Sequence, residues 1–234
     1  MGYGKMGKAI EAIATDRGHE IVLKIDKDNR SEITIDDIKK ADVVIEFSTP
    51  ETAVENCLFA MDAGVPVICG STGWLNEWEK VTQHCKEKNG AFLYASNFSV
   101  GVNIFFALNE HLAKLMSAHK EYQVSMEEIH HTEKKDAPSG TAITIANQIL
   151  KERNDYTKWI SGESKEKTDL SIISHRIDPA PGTHSVLYDS EIDRIEITHT
   201  AHSRRGFALG AVLAAEFLKD KSGIFSMKDV LQIG

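Results

Sequence analysis

Cysteine is scarce in this chain, and basic residues are outnumbered by acidic ones. The 234 residues include three cysteines and no CxxC pair, so neither a disulfide framework nor a cysteine-based zinc site is expected. We expect Cys57, Cys69 and Cys85 to be reduced thiols in the core. Lysine and arginine total 27 against 35 aspartates and glutamates, which gives a net charge of −8. That balance argues against general nucleic-acid binding, which needs a basic surface.

Long apolar runs are also missing. No stretch approaches the roughly 20 residues of a membrane-spanning helix, and the sequence opens on glycines rather than on a signal peptide. We therefore expect a cytoplasmic protein with no membrane partner. The apolar content of 41% and charged content of 26% are typical of globular proteins, and the length suits one large domain or two smaller ones.

The first half of the chain alternates strand and helix patterns. Predicted strands cover 20–26, 42–47, 65–69 and 91–94, and predicted helices cover 5–17, 50–63 and 74–88. This alternation predicts an α/β domain with a parallel sheet and right-handed crossovers. The strand patterns are continuously apolar, as expected of a sheet that is covered on both faces.

The second half predicts a different, α+β domain with a mixed or antiparallel sheet. A helix is predicted over 102–117, and a polar, mobile loop over 154–167. A second helix, over 141–153, interrupts four strand patterns, and an amphipathic helix over 207–219 could pack on either domain. The strand patterns cover 122–129, 170–176, 184–188 and 192–199.

A GxGxxG motif at Gly2, Gly4 and Gly7 opens the first predicted helix. Such glycines allow a tight turn and a close approach of backbone to a pyrophosphate. By itself the motif is weak and could be a simple turn. Asp26 supports a dinucleotide site, because an acid about 20 residues further on can bind a ribose hydroxyl. Lys27 could meet the 2′-phosphate of NADP, although a solvated surface lysine explains it equally well.

One element of a dinucleotide-binding fold is missing from the sequence. A strand of about five residues is expected directly before the first glycine, but only Met1 precedes Gly2. Because that strand is normally central in the sheet, its loss would leave two neighbours unpaired. We expect a mis-assigned start or a truncation, and weakened cofactor binding if the strand is truly absent.

Two later loops follow predicted strands of the first half. Ligands gather at the carboxyl ends of parallel strands, and the loops at 70–73 and 95–98 lie there. Backbone donors and the Asn97 carboxamide suit a nicotinamide and its ribose, and Phe98 could pack against the ring. As turns alone, both loops are ordinary.

Polar chemistry is concentrated at 127–142, directly after a predicted strand. His130 and His131 would point to opposite sides of an extended chain, and histidine suits proton transfer near neutral pH. Lys134 and Lys135 could hold anionic groups. The sequence Pro-Ser-Gly-Thr that follows opens a helix whose N-terminus favours anions, with Ser139 or Thr141 as the cap.

Three other interpretations of this segment stay open. A histidine metal site has no third ligand spaced nearby. A Ser139 nucleophile lacks the strand and elbow turn that expose such a serine. A plain solvated turn would not usually combine so many donors. No metal is therefore expected.

The segment resembles the signature E-x-H-H-x-x-K-x-D-A-P-S-G-T-A of the 4-hydroxy-tetrahydrodipicolinate reductase family, also called dihydrodipicolinate reductases. Glu128, His130, His131, Lys134 and Asp136 match it in register, followed by APSGTA through residue 142. The similarity extends over nearly the whole chain, through GYGKMG at the start, EFSTPE at 46–51, GSTG at 70–73, ASNFSVGVN at 95–103, and Arg204 with FALGA at 207–211.

The resemblance implies a dinucleotide-binding domain of residues 1–101 and 205–234, and a substrate-binding and tetramer-forming domain of residues 102–204. It implies an NADPH- or NADH-dependent reduction of 4-hydroxy-tetrahydrodipicolinate to tetrahydrodipicolinate with loss of water, in lysine and diaminopimelate biosynthesis. A homotetramer acting on this small cyclic dicarboxylate follows from the same resemblance. Arg204 is similar to a family arginine near the domain junction.

Residue roles also follow from the matched positions. His130 resembles the family's proton donor or acceptor and Lys134 its proton donor, whereas His131, Gly140 and Thr141 resemble contacts to the substrate carboxylates. The positions that resemble cofactor contacts are Gly2, Tyr3, Gly4, Lys5, Met6, Gly7, Asp26, Lys27, Gly70, Ser71, Thr72, Ala95, Ser96, Asn97 and Phe98.

Two alternatives to this reductase remain. One is a nucleotide-binding module without turnover, crippled at its N-terminus, which the intact His130 and Lys134 disfavour. The other is a dehydrogenase of an amino or dicarboxylic acid on the same scaffold, which the APSGT segment disfavours.

Overall fold

A computed structural model describes residues 1–203 and 205–233. They form two compact units. The first, named the nucleotide-side unit after the cofactor site expected in it, consists of Met1–Val100 together with the chain from Arg205 onward, and the second, the central unit, begins at Gly101. The expected combination of a parallel-sheet α/β unit with a mixed-sheet unit is confirmed.

The described helices are α1 (Lys5–Asp16), α2 (Ile35–Ile38), α3 (Pro50–Asp62), α4 (Trp78–Glu87), α5 (Val100–Leu115), α6 (Gly140–Glu152), α7 (Arg205–Leu218) and α8 (Met227–Leu231). The described strands are β1 (Val44–Glu46), β2 (Val67–Cys69), β3 (Ala91–Tyr94), β4 (Gln123–His130), β5 (Lys158–Ser161), β6 (Asp169–Arg176), β7 (Gly182–Asp189), β8 (Arg194–Ala201) and β9 (Gly223–Phe225).

The sheet of the nucleotide-side unit is parallel, with the order β1-β2-β3-β9. Its central strands β2 and β3 are short, apolar and almost fully buried, because helices cover both faces of the sheet. Ile10, Ile13 and Ala14 of α1 share one core cluster with the α7 residues Ala208 and Ala211. Helix α7, which corresponds to the helix predicted over 207–219, therefore packs within this unit. The three cysteines are free thiols, and all are buried there.

The strand predicted over 20–26 is not formed, because no strand among the described residues lies beside this segment. Met1 alone stands between this segment and β1: its ammonium donates to Ile45 O at 2.7 Å, and its carbonyl accepts from Phe47 N at 2.9 Å. On the other side, Gly2 N donates to Ile25 O at 2.9 Å. Beyond Met1 lies a cavity of about 480 Å³. The segment therefore lacks the neighbour with which it would pair as a strand.

This cavity, which we call the strand slot, has mostly apolar walls. Ile21 and Leu23 of the extended segment 20–26 line one side of the slot, and Val44 of β1 lines the other. Val212 of α7 also contributes to its wall. Burial lowers the pKa of the Met1 amino group at its end, because water no longer solvates the ammonium.

The central unit carries a mixed sheet in the order β5-β6-β4-β7-β8. Strands β5, β6 and β4 are parallel, whereas β7 and β8 run antiparallel to their neighbours. Alternate β4 residues are buried, ending with Glu128 and His130, and they face a core shared with α5 and α6. The mobile loop predicted over 154–167 is wrong in part, because β5 forms there and pairs with β6.

Within residues 1–203 and 205–233, no helix is both long enough and apolar enough to cross a bilayer.

Candidate active site

The glycine motif forms a tight turn into α1. Gly2 has a φ of +83°, and a Cβ there would collide with the carbonyl group of Phe47. A Cβ on Gly7 would lie 2.5 Å from Gly2 O. These two glycines are therefore required for packing of the turn, because any side chain would displace backbone.

Gly4 differs from both. It is the N-cap of α1 with a φ of −82°, it has no side-chain cap, and the first turn carries no acidic residue. A Cβ at Gly4 would point into open space. The start of α1 is thus an uncapped, exposed helix N-terminus, which favours a phosphate. These residues fit the pyrophosphate of a dinucleotide.

The other predicted cofactor residues follow strand-like segments at the same edge of the sheet. Gly70–Thr72 follow β2, Ala95–Phe98 follow β3, and Asp26 ends the extended segment 20–26, with Lys27 directly after it. Asp26 is exposed, and its carboxylate accepts from its neighbour's backbone Lys27 N at 2.9 Å. The shared edge is where ligands bind in open parallel sheets.

The structure gives the surroundings of three of these side chains. The Phe98 ring is 2% exposed and packs on Phe47 with a centroid distance of 5.4 Å, so, contrary to the expectation, this buried ring does not present a face to a nicotinamide. The Tyr3 hydroxyl bonds to the Glu11 carboxylate. Ser71 is buried, and its hydroxyl has no partner among the described residues. Ser71 is therefore a buried side chain of this set with unused hydrogen-bonding capacity.

Of the predicted substrate-side residues in the central unit, His130 ends β4 with 7% exposure. It lies on the buried face of the sheet beside Glu128. His131 is the first residue after the strand and is half-buried, so the two histidines do have separate environments. Strand β7 brings in a third, His184, whose ring lies 5.0 Å from that of His130.

Glu128 is the fully buried centre of this cluster. Its two oxygens accept from Ser139 N at 3.1 Å, and one accepts from Ser174 Oγ at 2.8 Å and from the Arg176 guanidinium at 3.1 Å. Burial by itself raises the pKa of this carboxyl, but these hydrogen bonds outweigh it and hold the pKa below its usual range. Glu128 is therefore a buried carboxylate anion.

The two buried histidines are neutral. Burial lowers the pKa of His130 despite the nearby Glu128 carboxylate. Burial and the neighbouring His130 lower the pKa of His184 to about 3. His184 Nε2 lies 3.1 Å from Ser139 Oγ. A neutral His130 at neutral pH can accept a proton or donate through one ring nitrogen.

The loop 131–139 carries Lys134, whose side chain is 23% exposed. The ammonium of Lys134 lies 2.9 Å from both carboxylate oxygens of Asp136. Arg176 Nε donates to Lys134 O at 3.1 Å, and its Nη2 donates to Asp136 O at 2.5 Å. Asp178 accepts from both the backbone and the hydroxyl of Thr132. Arg176 and Asp178 thus hold the loop at several points.

The loop ends at the N-terminus of α6, a helix of 13 residues. Ser139 is its N-cap, as one of the two predicted alternatives has it, and its hydroxyl accepts from Ala142 N at 3.1 Å. Gly140 is exposed, with open space where a Cβ would stand, and Thr141 follows in the same turn. This helix start can hold a carboxylate.

A third possible metal ligand near the histidines exists, contrary to the expectation from spacing. Glu128, His130 and His184 each place one ligand atom within 4.8 Å of the others. However, the Arg176 guanidinium already supplies a positive charge at 3.1 Å from Glu128. The cluster is therefore better suited to its hydrogen-bond network than to a cation.

Sequence reasoning missed Arg176, Ser174, Asp178 and His184, and it gave Glu128 no role. The alternation of His184 with Val186 and Tyr188 is a usable signal, because it puts a histidine on a core face. Arg176 has no comparable local signal. Arg204, singled out from the sequence, lies outside the described residues.

The fold and its two polar regions define a class of protein. A parallel-sheet unit with an uncapped glycine turn, joined to a mixed-sheet unit with a histidine–lysine loop, is the architecture of a dinucleotide-dependent oxidoreductase. A solved structure described as dipicolinate-bound dihydrodipicolinate reductase from Paenisporosarcina sp. TG-14 shares the fold. Its TM-score is 0.74, with 21% identity, over 95% of this chain and 94% of that one.

Sequence comparison gives the family. Models described as dihydrodipicolinate reductase, N-terminus and C-terminus, match residues 1–98 and 101–231. A 4-hydroxy-tetrahydrodipicolinate reductase of Christiangramia forsetii is 51% identical over 99% of this chain and 95% of that relative. One of Thermosipho africanus is 35% identical over 98% and 94%. The chain belongs to the dihydrodipicolinate reductase family.

Proposed function

We propose that the protein reduces 4-hydroxy-tetrahydrodipicolinate to tetrahydrodipicolinate with NADPH or NADH and releases water, as a step of lysine and diaminopimelate biosynthesis. The observation that carries the proposal is the loop 131–139. Together with His130, which directly precedes it at the end of β4, the loop places a neutral histidine, a lysine and an anion-binding helix start within one short segment. A cyclic dicarboxylate that must be protonated needs these groups.

The substrate carboxylates are assigned to the start of α6. Gly140 and Thr141 offer the first turn of the helix, and the absence of a Cβ at Gly140 leaves room for a carboxylate. His131, half-buried beside the loop, is the side-chain contact. Lys134 adds a positive charge, which strengthens carboxylate binding.

Proton transfer is assigned to His130 and Lys134. The hydroxyl group of the substrate leaves as water together with a hydrogen of the neighbouring carbon. A bound dinucleotide would supply the hydride that the former hydroxyl-bearing carbon takes up, and the neighbouring carbon then regains a proton. Lys134 carries the proton that the carbon next to the reduced one receives, and His130 donates or accepts at the same side. Glu128 favours this role, because its negative charge opposes the burial that lowers the pKa of His130.

The cofactor is assigned to the nucleotide-side unit. Gly2–Gly7 would hold the pyrophosphate, Asp26 and Lys27 the adenosine ribose, and the loops 70–72 and 95–98 the nicotinamide half, the latter through the backbone rather than the Phe98 ring. Asp26 suits a free ribose hydroxyl and Lys27 a 2′-phosphate, so we propose use of both cofactors.

The test is oxidation of NADPH or NADH, followed at 340 nm, with substrate supplied by the upstream synthase. Substrate-dependent oxidation supports the proposal. A protein that binds NADPH but does not oxidise it with this substrate would instead be a nucleotide-binding module. Turnover of a different amino or dicarboxylic acid would identify another dehydrogenase.

We propose a cytoplasmic homotetramer in which the outer face of the central sheet contacts the same face of a second copy and two such dimers associate. That face exposes or half-exposes Ser125, Glu127, Ile129 and Leu187, opposite the face that carries the core. In a two-fold dimer the same surface patch of both copies forms the contact. Sedimentation of the purified protein tests this, and a monomer at micromolar concentration would contradict it.

A further inference from the structure

Arg176 is the residue that links the buried cluster to the loop 131–139. It is the last residue of β6, paired in register with His130 of β4. Its guanidinium makes three kinds of contact: to the Glu128 carboxylate, to the carbonyls of Lys134 and Asp136, and to its neighbour's carbonyl, His175 O at 2.8 Å.

These contacts fix the backbone on both sides of one residue. Lys134 O and Asp136 O flank Lys135, so a planar guanidinium that holds both defines the path of the loop there. Lys134 N also donates to His131 O at 3.1 Å. Arg176, rather than a regular strand or helix, therefore fixes the backbone position from which the Lys134 side chain extends.

Glu128 fixes the guanidinium in turn. The carboxylate is fully buried and immobilised by Ser174 Oγ and Ser139 N, and the side chain of Arg176 is only 20% exposed. A buried ion pair with satisfied hydrogen bonds has little freedom to move. The Glu128 carboxylate thus bonds both to Arg176, which holds the loop, and to Ser139, which caps α6.

We infer that Arg176, anchored by Glu128, is a positioning residue that places Lys134 for proton transfer. The role assigned to Lys134 rests on the proposed function, but the grip of Arg176 on the loop does not. Arg176 touches neither the substrate nor the cofactor in this assignment. It acts only through the backbone of the loop, and its loss should therefore matter only while Lys134 is present.

A double-mutant cycle tests the coupling. Arg176→Met in the wild-type background is expected to lower kcat about tenfold or more, because small displacements of a catalytic group are costly. KM for the substrate should change less. In the Lys134→Ala background the same change should lower kcat by less than about twofold. Equal losses in both backgrounds would overturn the inference.

Hydrogen exchange provides a readout that does not need turnover. Arg176→Met should accelerate amide exchange over 131–139, and Arg176→Lys should do so less, since an ammonium can still reach one carbonyl. The matched control is Arg194→Met, which removes an exposed arginine of the same sheet that pairs with Asp189 at 2.9 Å. Unchanged exchange in Arg176→Met also overturns the inference. If wild-type protein shows no turnover, the proposed function fails, while the exchange result still decides whether Arg176 holds the loop.

Discussion

The ammonium of Lys134 is paired with the carboxylate of Asp136, with both oxygens at 2.9 Å. The lysine side chain is 23% exposed and that of the aspartate 60%. Ion pairs this open to water contribute little to stability. Lys134 can therefore exchange Asp136 for a substrate carboxylate or a developing carbanion at small cost, and Asp136 is its partner in the ligand-free protein.

Removing the ammonium should reveal its role. Lys134→Ala is expected to lower kcat by about 10²-fold or more, because a positioned general acid contributes at least that much. His130→Gln should act likewise. Initial rates of NADPH oxidation measure both, with Lys151→Ala, an exposed lysine of α6, as the matched control. Wild-type turnover in both variants would show that the roles are misassigned.

Gly4 and Gly2 should respond differently to substitution by alanine. Gly4→Ala places a methyl group in open space, so folding should be nearly unchanged, while the Kd for NADPH rises because the pyrophosphate can no longer approach the backbone. Gly2→Ala should lower the thermal midpoint, because its Cβ meets Phe47 and its φ is +83°. Calorimetric titration and thermal unfolding measure the pair. Unchanged NADPH affinity in Gly4→Ala would place the pyrophosphate elsewhere.

The strand slot should accept a strand. Joining five alternating valine and isoleucine residues before Met1 is expected to raise the thermal midpoint and the NADPH affinity, because the new strand buries apolar surface and pairs with both flanks. A glycine–serine extension of equal length is the control, since it leaves the slot unfilled. Equal results for the two extensions would mean that the glycine turn does not depend on the slot.

Acid should destabilise the protein through its buried histidines. His184 titrates near pH 3 in the folded protein but near pH 6.5 in the unfolded chain. The contribution of the neutral His184 to the free energy of unfolding is therefore complete above pH 6.5 and is lost as the pH falls from 6.5 to 3. That loss is about 2 kcal/mol between pH 6.5 and 5.

Urea unfolding at pH 7 and pH 5 measures this effect. His184→Gln lacks the group, so its free energy of unfolding should fall by correspondingly less over that interval. The same fall in both proteins would assign the pH dependence to other groups. His130, whose pKa burial also lowers, adds to the loss in both.

Local patterns predicted most elements of the fold. The helix predicted over 50–63 and the strand over 91–94 agree closely with α3 and β3, because their apolar periodicity and their bounding turns are local properties. The strand predicted over 20–26 is wrong because a strand needs a partner, and pairing is not written in the segment itself. Strand β5 was missed because its exposed edge position allows polar residues.

The candidate site was predictable only where its residues are contiguous. His130, Lys134 and Gly140 fall in one segment of sequence, so the loop was visible in advance. Arg176 and His184 reach that loop through the registers of β6 and β7 against β4, and those registers are set by pairing across 46 and 56 residues of chain, respectively. No local pattern reports such a pairing.

The placement of the three thiols separates the two halves of the protein experimentally. Cys57, Cys69 and Cys85 are 0%, 0% and 1% exposed, and all belong to the nucleotide-side unit, because the central unit contains no cysteine. A thiol reagent can reach them only when that unit opens. The rate of alkylation in dilute denaturant therefore measures how often the nucleotide-side unit opens. Slower alkylation in the presence of NADPH would report cofactor binding without an added label or a substitution.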